Sequence, residues 1–158
     1  MRATLTFIAG VVVGYGCLTL QAQSPNAMKL NHVGLRVKNF DQAVRFYRDT
    51  LGFKEAFSFK NDDGSPIFSY LQISRETFLE LQPASPQQPA GLLHIGLEVE
   101  NLPAALDRLK AAGSVVTAPR MGRAGAPLAT ATAQDGTPLE LLQLGPESLH
   151  RKATETWR

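Results

Sequence analysis

The sequence predicts an α+β fold in which two βαβββ modules form a cupped mixed sheet with helices outside. The main observation is a stretch that the chain repeats: residues 30–47 read LNHVGLRVKNFDQAVRFY and residues 92–109 read LLHIGLEVENLPAALDRL. A histidine lies at the same place in each copy, His32 in the first and His94 in the second. Because a four-stranded sheet with one helix leaves an apolar face in water, two such halves are expected to pack together.

The second observation is a shorter match near the end of each copy. FLELQ at 78–82 repeats as PLELL at 138–142, and this match aligns Glu80 with Glu140. Each module therefore opens with a strand that carries a histidine and closes with a strand that carries a glutamate. An acid between two aliphatic residues on a strand points to the face that those residues avoid.

Module one, residues 29–83, has the βαβββ order. The alternating residues 30–37 predict a strand, and Asn39 is a suitable N-cap for a helix that stops at Gly52. Three further strands are predicted at 53–60, 67–73 and 77–83.

Residues 84–90 form a Pro-rich linker, and module two follows at 91–144 on the same plan. A strand at 92–99 precedes a helix at 102–112. The remaining predicted segments are a strand at 114–118, a long loop at 118–127, and strands at 128–134 and 137–144.

Both ends of the chain differ from the repeat. Residues 1–22 have the anatomy of a secretory signal peptide, because Arg2 precedes an uncharged apolar run at 3–20. The chain is expected to be unstructured up to about residue 27. The polar tail at 145–158 contains His150, which has no counterpart in the repeat and is assigned a surface role.

The leader predicts a secreted or periplasmic protein with no stable membrane span once the leader is removed. The alternative is a membrane anchor formed by residues 3–20, although this run is slightly shorter than the ~20 residues that span a bilayer. The only cysteine, Cys17, lies in the leader, so the mature chain has no thiolate to offer a metal. The 16 Lys and Arg nearly balance the 14 Asp and Glu without a run of like charge, which excludes a nucleic-acid surface.

Strand alternation places the polar residues of the repeat on one face. In the first strand His32, Gly34 and Arg36 share that face, and the aliphatic residues share the other. Two histidines and two glutamates at equivalent places predict a metal site formed by His32, Glu80, His94 and Glu140. Imidazole and carboxylate donors suit one divalent Zn, Ni, Co, Mn or Fe ion per site and do not select among them.

The motifs HVGLRV, RFYRDTLGF, HIGLEV and DGTPLELL resemble the vicinal oxygen chelate superfamily, also known as the glyoxalase/bleomycin-resistance/dioxygenase fold. The resemblance covers about residues 29–144, and within the superfamily the chain is similar in particular to glyoxalase I (lactoylglutathione lyase). It implies that the same two histidines and two glutamates bind the metal. Methylmalonyl-CoA epimerases of the superfamily typically carry Gln in place of Glu80, so the glutamate favours the glyoxalase branch.

The resemblance implies a metal-dependent lyase or isomerase that acts on a hemithioacetal or α-hydroxycarbonyl substrate. Glu140 would move the carbon-bound proton, and Glu80 could serve the opposite face. Three arginines would hold an anionic substrate group such as part of a glutathione adduct, namely Arg36, Arg120 and Arg123. The alternatives are an extradiol dioxygenase, an epimerase, or a non-catalytic protein that binds or confers resistance to a small molecule. A homodimer is also implied, and the sequence leaves open whether one chain or two supply the four ligands.

Overall fold

Eight strands form one curved mixed sheet in the computed structural model, which describes residues 27–158. The order across the sheet is β2-β3-β4-β1-β5-β8-β7-β6. The strands are β1 (Met28–Val37), β2 (Lys54–Lys60), β3 (Pro66–Ser74), β4 (Thr77–Pro83), β5 (Gly91–Val99), β6 (Arg120–Met121), β7 (Pro127–Thr132) and β8 (Pro138–Leu142). The predicted fold class is therefore confirmed.

The predicted signal peptide at 1–22 and the alternative anchor at 3–20 lie outside the described residues. Within residues 27–158, no helix is long and apolar enough to cross a membrane.

The two modules meet at the centre of the sheet, where β1 pairs with β5 in antiparallel fashion. Within each module the strand that carries the histidine runs parallel to the strand that carries the glutamate: β1 pairs with β4, and β5 pairs with β8. The four central strands therefore bring both histidines and both glutamates to the middle of one face.

Two helices cover the outer face of the sheet. Helix α1 (Phe40–Arg45) continues as a π-helical turn at Phe46–Thr50, and helix α2 covers Leu102–Ala111. Asn39 and Asn101 cap these helices, each accepting a hydrogen bond from a backbone N–H three residues later. Each helix packs on its own apolar cluster, the first around Val44, Leu71, Leu79 and Leu81 and the second around Val99, Leu102, Ala105, Leu106 and Leu141. The aliphatic residues that alternate with the candidate ligands thus build the core.

The predicted strand at 114–118 is wrong. Only Val116 makes an isolated bridge, to Ala131, and the paired edge strand is β6 within the predicted loop. Pro119 lies between the two pairing regions and cannot donate a backbone hydrogen bond, so it interrupts the pairing with β7. The Val115 side chain is 77% exposed, although its carbonyl accepts a hydrogen bond from the Thr132 N–H.

The C-terminal tail forms helix α3 (Leu149–Glu155), and the surface role assigned to His150 is wrong. The His150 side chain is only 3% exposed, because α3 packs on the cup side of module one against the cluster of Phe68, Tyr70 and Phe78. An ion pair of 2.8 Å between Arg151 and Glu98 connects α3 to β5.

Candidate metal centre

The four predicted ligands converge on one point of the concave face, and one chain supplies all of them. The Nε2 atoms of His32 and His94 lie 2.7 Å apart. Glu80 Oε2 lies 3.0 Å from Nε2 of His94 and 3.5 Å from Nε2 of His32. Glu140 Oε2 lies 3.6 Å from Nε2 of His32 and 3.9 Å from Nε2 of His94.

Two glycines provide the space in which the histidines meet. Gly34 on β1 pairs with both His94 and Glu80, and Gly96 on β5 pairs with both His32 and Glu140. A Cβ atom at Gly96 would overlap the His32 ring, and one at Gly34 would come within 3.0 Å of Nε2 of His94. The Gly that follows each histidine by two residues in the repeat is therefore part of the site.

His32 is fixed as a neutral imidazole with one free nitrogen directed at the centre. Its Nδ1 donates a hydrogen bond of 2.9 Å to Oδ1 of Asn31, which leaves the Nε2 lone pair for a metal. The ring is fully buried, and this burial lowers the pKa of His32 to about 3. Sequence reasoning did not identify Asn31, because its place beside a candidate ligand carried no pattern.

Glu80 is held as an anion by hydrogen bonds to both of its carboxylate oxygens. The Tyr70 hydroxyl donates to Oε2 at 3.0 Å, and Nε2 of Gln82 donates to Oε1 at 2.7 Å. Burial raises the pKa of Glu80, but the hydrogen bond from His94, the charges of the two histidines and the bond from Gln82 outweigh it. The pKa of Glu80 is therefore lowered to about 2.

Tyr70 and Gln82 were also missed from the sequence, although strand parity contains a signal for one of them. Gln82 follows Glu80 by two residues and must share its face of β4. Tyr70 could be found only from the register, which sets it opposite Glu80 on β3.

His94 holds the proton that a metal would have to displace. Burial lowers the pKa of His94, but the hydrogen bond to Glu80 and the negative charge of that group outweigh it, so the pKa lies above its ordinary value. The imidazole N–H therefore donates to Glu80, and metal binding at this nitrogen is expected to release a proton.

Glu140 differs from Glu80 because its carboxylate accepts no hydrogen bond from any residue in the described range 27–158. It is 9% exposed, and burial is the main cause that raises its pKa above the ordinary value. A carboxylate of this kind can accept a proton more readily than Glu80 can.

A cavity of about 230 Å³ opens on the centre. Its polar lining consists of Glu80, Gln82, His94, Arg120, Arg123 and Glu140. A second, outer cavity of about 500 Å³ shares Ile67 and Arg123 with the first and is also lined by the turn at 60–63. The structure thus brings two of the three predicted substrate-binding arginines, Arg120 and Arg123, to the cavity wall.

Arg36 does not line this cavity. Its Nε is buried without a hydrogen-bond partner among residues 27–158, and its charge contributes to lowering the pKa of His94. The structure therefore places Arg36 near the metal-binding histidine and away from the cavity surface.

The donor set fits a divalent metal ion. One ligand atom each from His32, Glu80 and His94 lies within 4.8 Å of the others, and all three residues are buried. Glu140 can add a fourth oxygen from the cavity side. Two imidazoles with carboxylates suit transition metals such as Zn, Ni, Co, Mn and Fe, and the residues do not select one of them.

The chain belongs to the Glyoxalase/Bleomycin resistance protein/Dioxygenase superfamily, whose family model matches residues 29–141. This confirms the resemblance to the vicinal oxygen chelate superfamily. The match begins at β1 and ends in β8, so it includes all four candidate ligands.

Among characterised relatives, the chain is similar to an ethylmalonyl-CoA/methylmalonyl-CoA epimerase from Cereibacter sphaeroides. The two are 30% identical over 113 residues, which cover 63% of this chain and 84% of that protein. The fold of this chain is similar to that of methylmalonyl-CoA epimerase from Mycobacterium tuberculosis, with a TM-score of 0.61 and 22% identity. The match covers 75% of this chain and 89% of the other. A methylmalonyl-CoA epimerase in complex with methylmalonyl-CoA and ammonium gives a TM-score of 0.65 at 21% identity, with 77% and 97% covered. These relatives correspond to the epimerase alternative and do not support glyoxalase I in particular.

Proposed function

We propose that this chain is a metal-dependent epimerase that moves the proton on the carbon next to the carbonyl of an acyl-CoA thioester. The observation that carries the proposal is Glu140, a buried carboxylate with a raised pKa that faces the cavity beside the three clustered ligands. The similarity to the epimerase from Cereibacter sphaeroides supports the substrate class.

A divalent metal bound by His32, Glu80 and His94 would act as a Lewis acid on the substrate carbonyl, which makes the neighbouring C–H acidic. Glu140 takes the proton from that carbon, because its pKa lies above the ordinary value and no hydrogen bond restrains it in the described chain. Glu80 keeps its negative charge and its position, since two donors hold its oxygens and its pKa is about 2.

Inversion at carbon requires a proton to arrive on the face opposite to Glu140. Water in the adjoining outer cavity, which shares Ile67 and Arg123 with the inner one, is a candidate for the source of this proton. This source takes the place of the role predicted for Glu80, whose pKa is lowered to about 2.

Arg120 and Arg123 are the substrate-binding groups of the proposal. Neither makes an ion pair with a residue in the described range, and both line the inner cavity. They can hold an anionic substituent of the acyl group by charge-assisted hydrogen bonds. The rest of a CoA thioester would extend past Arg123 and Lys60 through the outer cavity.

A second candidate is the glyoxalase-type isomerisation of a hemithioacetal. The specific observation in its favour is that only one carboxylate, Glu140, is unrestrained at the centre among residues 27–158. A single base is sufficient to take a proton from one carbon and return it to the next. A glutamate at the position of Glu80 is also a feature of the glyoxalase branch.

Solvent-exchange measurements would separate these reactions. The protein, reconstituted separately with Zn, Ni, Co or Mn, is incubated in D₂O with one epimer of methylmalonyl-CoA, and deuterium at the α-carbon is followed by NMR together with epimer composition. Metal-dependent exchange with inversion supports the proposal, and Glu140→Gln is the matched control. The second candidate would be favoured if no metal supported deuterium exchange but the protein formed S-lactoylglutathione from methylglyoxal and glutathione. Oxygen consumption with a catechol, measured with Fe(II), would indicate a dioxygenase instead.

We propose in addition that the protein is an exported homodimer. The apolar run at 3–20 supports export, and membership of the superfamily supports the dimer. Intact-mass measurement of protein from its native compartment tests the loss of residues 1–22. Sedimentation equilibrium tests the dimer.

A further inference from the structure

We propose that His150 is a positioning residue of the candidate metal centre, whose ring fixes the His32 ring and the Tyr70 ring. This inference rests on the metal site of the proposed function but not on its substrate. It concerns a residue of α3, an element that lies outside the duplicated modules.

The His150 ring contacts the centre through two of its components. It stacks on His32 with ring centroids 6.0 Å apart and an interplanar angle of 20°. It also meets Tyr70 edge-on, with centroids 4.7 Å apart at 87°. Because Tyr70 donates to Glu80, one buried ring restrains both a metal-binding imidazole and a group that orients a metal-binding carboxylate.

Packing alone holds His150 in this position. Phe57 and Phe78 meet the ring at 84° and 87°, with centroids 5.0 and 5.2 Å away. Neither ring nitrogen has a hydrogen-bond partner among residues 27–158, although both are buried. Since no hydrogen bond to the ring nitrogens fixes the ring, its position rests on these aromatic contacts.

Two contacts with module two anchor the segment that carries His150. Arg151 is bound to Glu98 on β5, and the backbone N–H of Leu149 donates to the carbonyl of Ala124 at 2.9 Å. Ala124 belongs to the loop that carries Arg123, so α3 connects the arginine side of the cavity with the metal side. These anchors hold the His150 ring against His32 and Tyr70.

The test measures metal binding to the folded protein, without any substrate. Metal affinity is obtained by competition with a chromophoric chelator, and the coordination geometry from the absorption spectrum of the Co(II)-loaded protein. We expect His150→Ala to weaken metal binding about 10–100-fold and to change the Co(II) spectrum, as is typical when a residue that orients a ligand is lost. His150→Phe restores the aromatic contacts and should bind metal within about threefold of the wild type, because aromatic stacking does not need the ring nitrogens.

Ala153→Gly is the matched control, since it weakens the same buried helix and leaves the His150 ring in place. Urea unfolding of each metal-free variant reports the loss of stability. If Ala153→Gly and His150→Ala lost equal stability and also weakened metal binding equally, His150 would have only a structural role. A His150→Phe variant as weak as His150→Ala, or a His150→Ala variant with wild-type affinity, would also overturn the inference. None of these outcomes depends on whether the epimerase assay succeeds.

Discussion

The two glutamates of the candidate metal centre occupy equivalent positions in the two modules, yet their surroundings are opposite. Glu80 accepts hydrogen bonds from Tyr70 and Gln82, and its pKa is lowered to about 2. Glu140 accepts none within residues 27–158, and burial raises its pKa. One carboxylate is therefore suited to remain a metal ligand, and the other is suited to accept a proton.

The difference comes from two neighbours and not from the duplicated scaffold. Thr130 faces Glu140 across β7 and β8, where Tyr70 faces Glu80 across β3 and β4. Leu142 follows Glu140 by two residues, where Gln82 follows Glu80. The repeat provides a symmetric set of candidate ligands, and different residues beside them give the two glutamates opposite pKa shifts.

The largest expected effect separates the two glutamates directly. Glu140→Gln should lower kcat about 10²–10⁴-fold, because it removes the base and keeps the shape of the side chain. Glu80→Gln should cost at most about tenfold, because the amide can still offer an oxygen to the metal. Turnover measured under metal saturation, with metal content determined for both variants, tests this order. Equal losses for the two variants would contradict the division of roles.

The second prediction exchanges the residues that follow the two glutamates, Gln82 and Leu142. Gln82→Leu removes a donor to Glu80 and should weaken metal binding about 10–100-fold, since partners of ligands typically contribute this much. Leu142→Gln offers Glu140 a similar donor and should lower its pKa, and turnover should fall while metal affinity is retained. Chelator competition and kcat for both variants provide the measurement. If Gln82→Leu changed neither quantity, Gln82 would have no part in holding Glu80.

The third comparison concerns the two glycines. A methyl group at Gly96 overlaps the His32 ring, whereas one at Gly34 approaches His94 more loosely. Gly96→Ala should therefore lower the free energy of unfolding by about 1–3 kcal/mol, as overpacking of a dense site usually does. Gly34→Ala should cost less. Urea unfolding of the metal-free proteins measures both, and a more stable Gly96→Ala than Gly34→Ala would contradict the geometry.

The smallest effect distinguishes the two histidines by pH. The pKa of His94 lies above its ordinary value of 6.5, so below that raised pKa a metal must displace one proton from it. Metal affinity should be constant at higher pH and fall by about tenfold per pH unit once the pH drops below this pKa. His32 adds no proton in this range, because its pKa is about 3. Calorimetry in buffers of different ionisation enthalpy counts the released protons, and two protons instead of one near neutral pH would contradict this assignment.

The sequence alone predicted the fold class, which the structure confirms, and the set of candidate ligands, which the structure brings together. The repeat of a histidine strand and a glutamate strand identified His32, Glu80, His94 and Glu140, because alternation along a strand fixes which side chains share a face. The helix cap at Asn39 was also predicted, since a cap depends only on residues within one turn. The choice of the glyoxalase branch from Glu80 went further than one residue type allows, and the relatives are epimerases.

Only the tertiary structure decided which groups surround the ligands. The antiparallel pairing of β1 with β5 brings all four ligands together in one chain, and the register of β3 sets Tyr70 beside Glu80. His150 reaches His32 and Tyr70 because α3 folds onto a module far away in sequence. These contacts depend on strand register and on the docking of a distant segment, and a local pattern of residues contains no information about either.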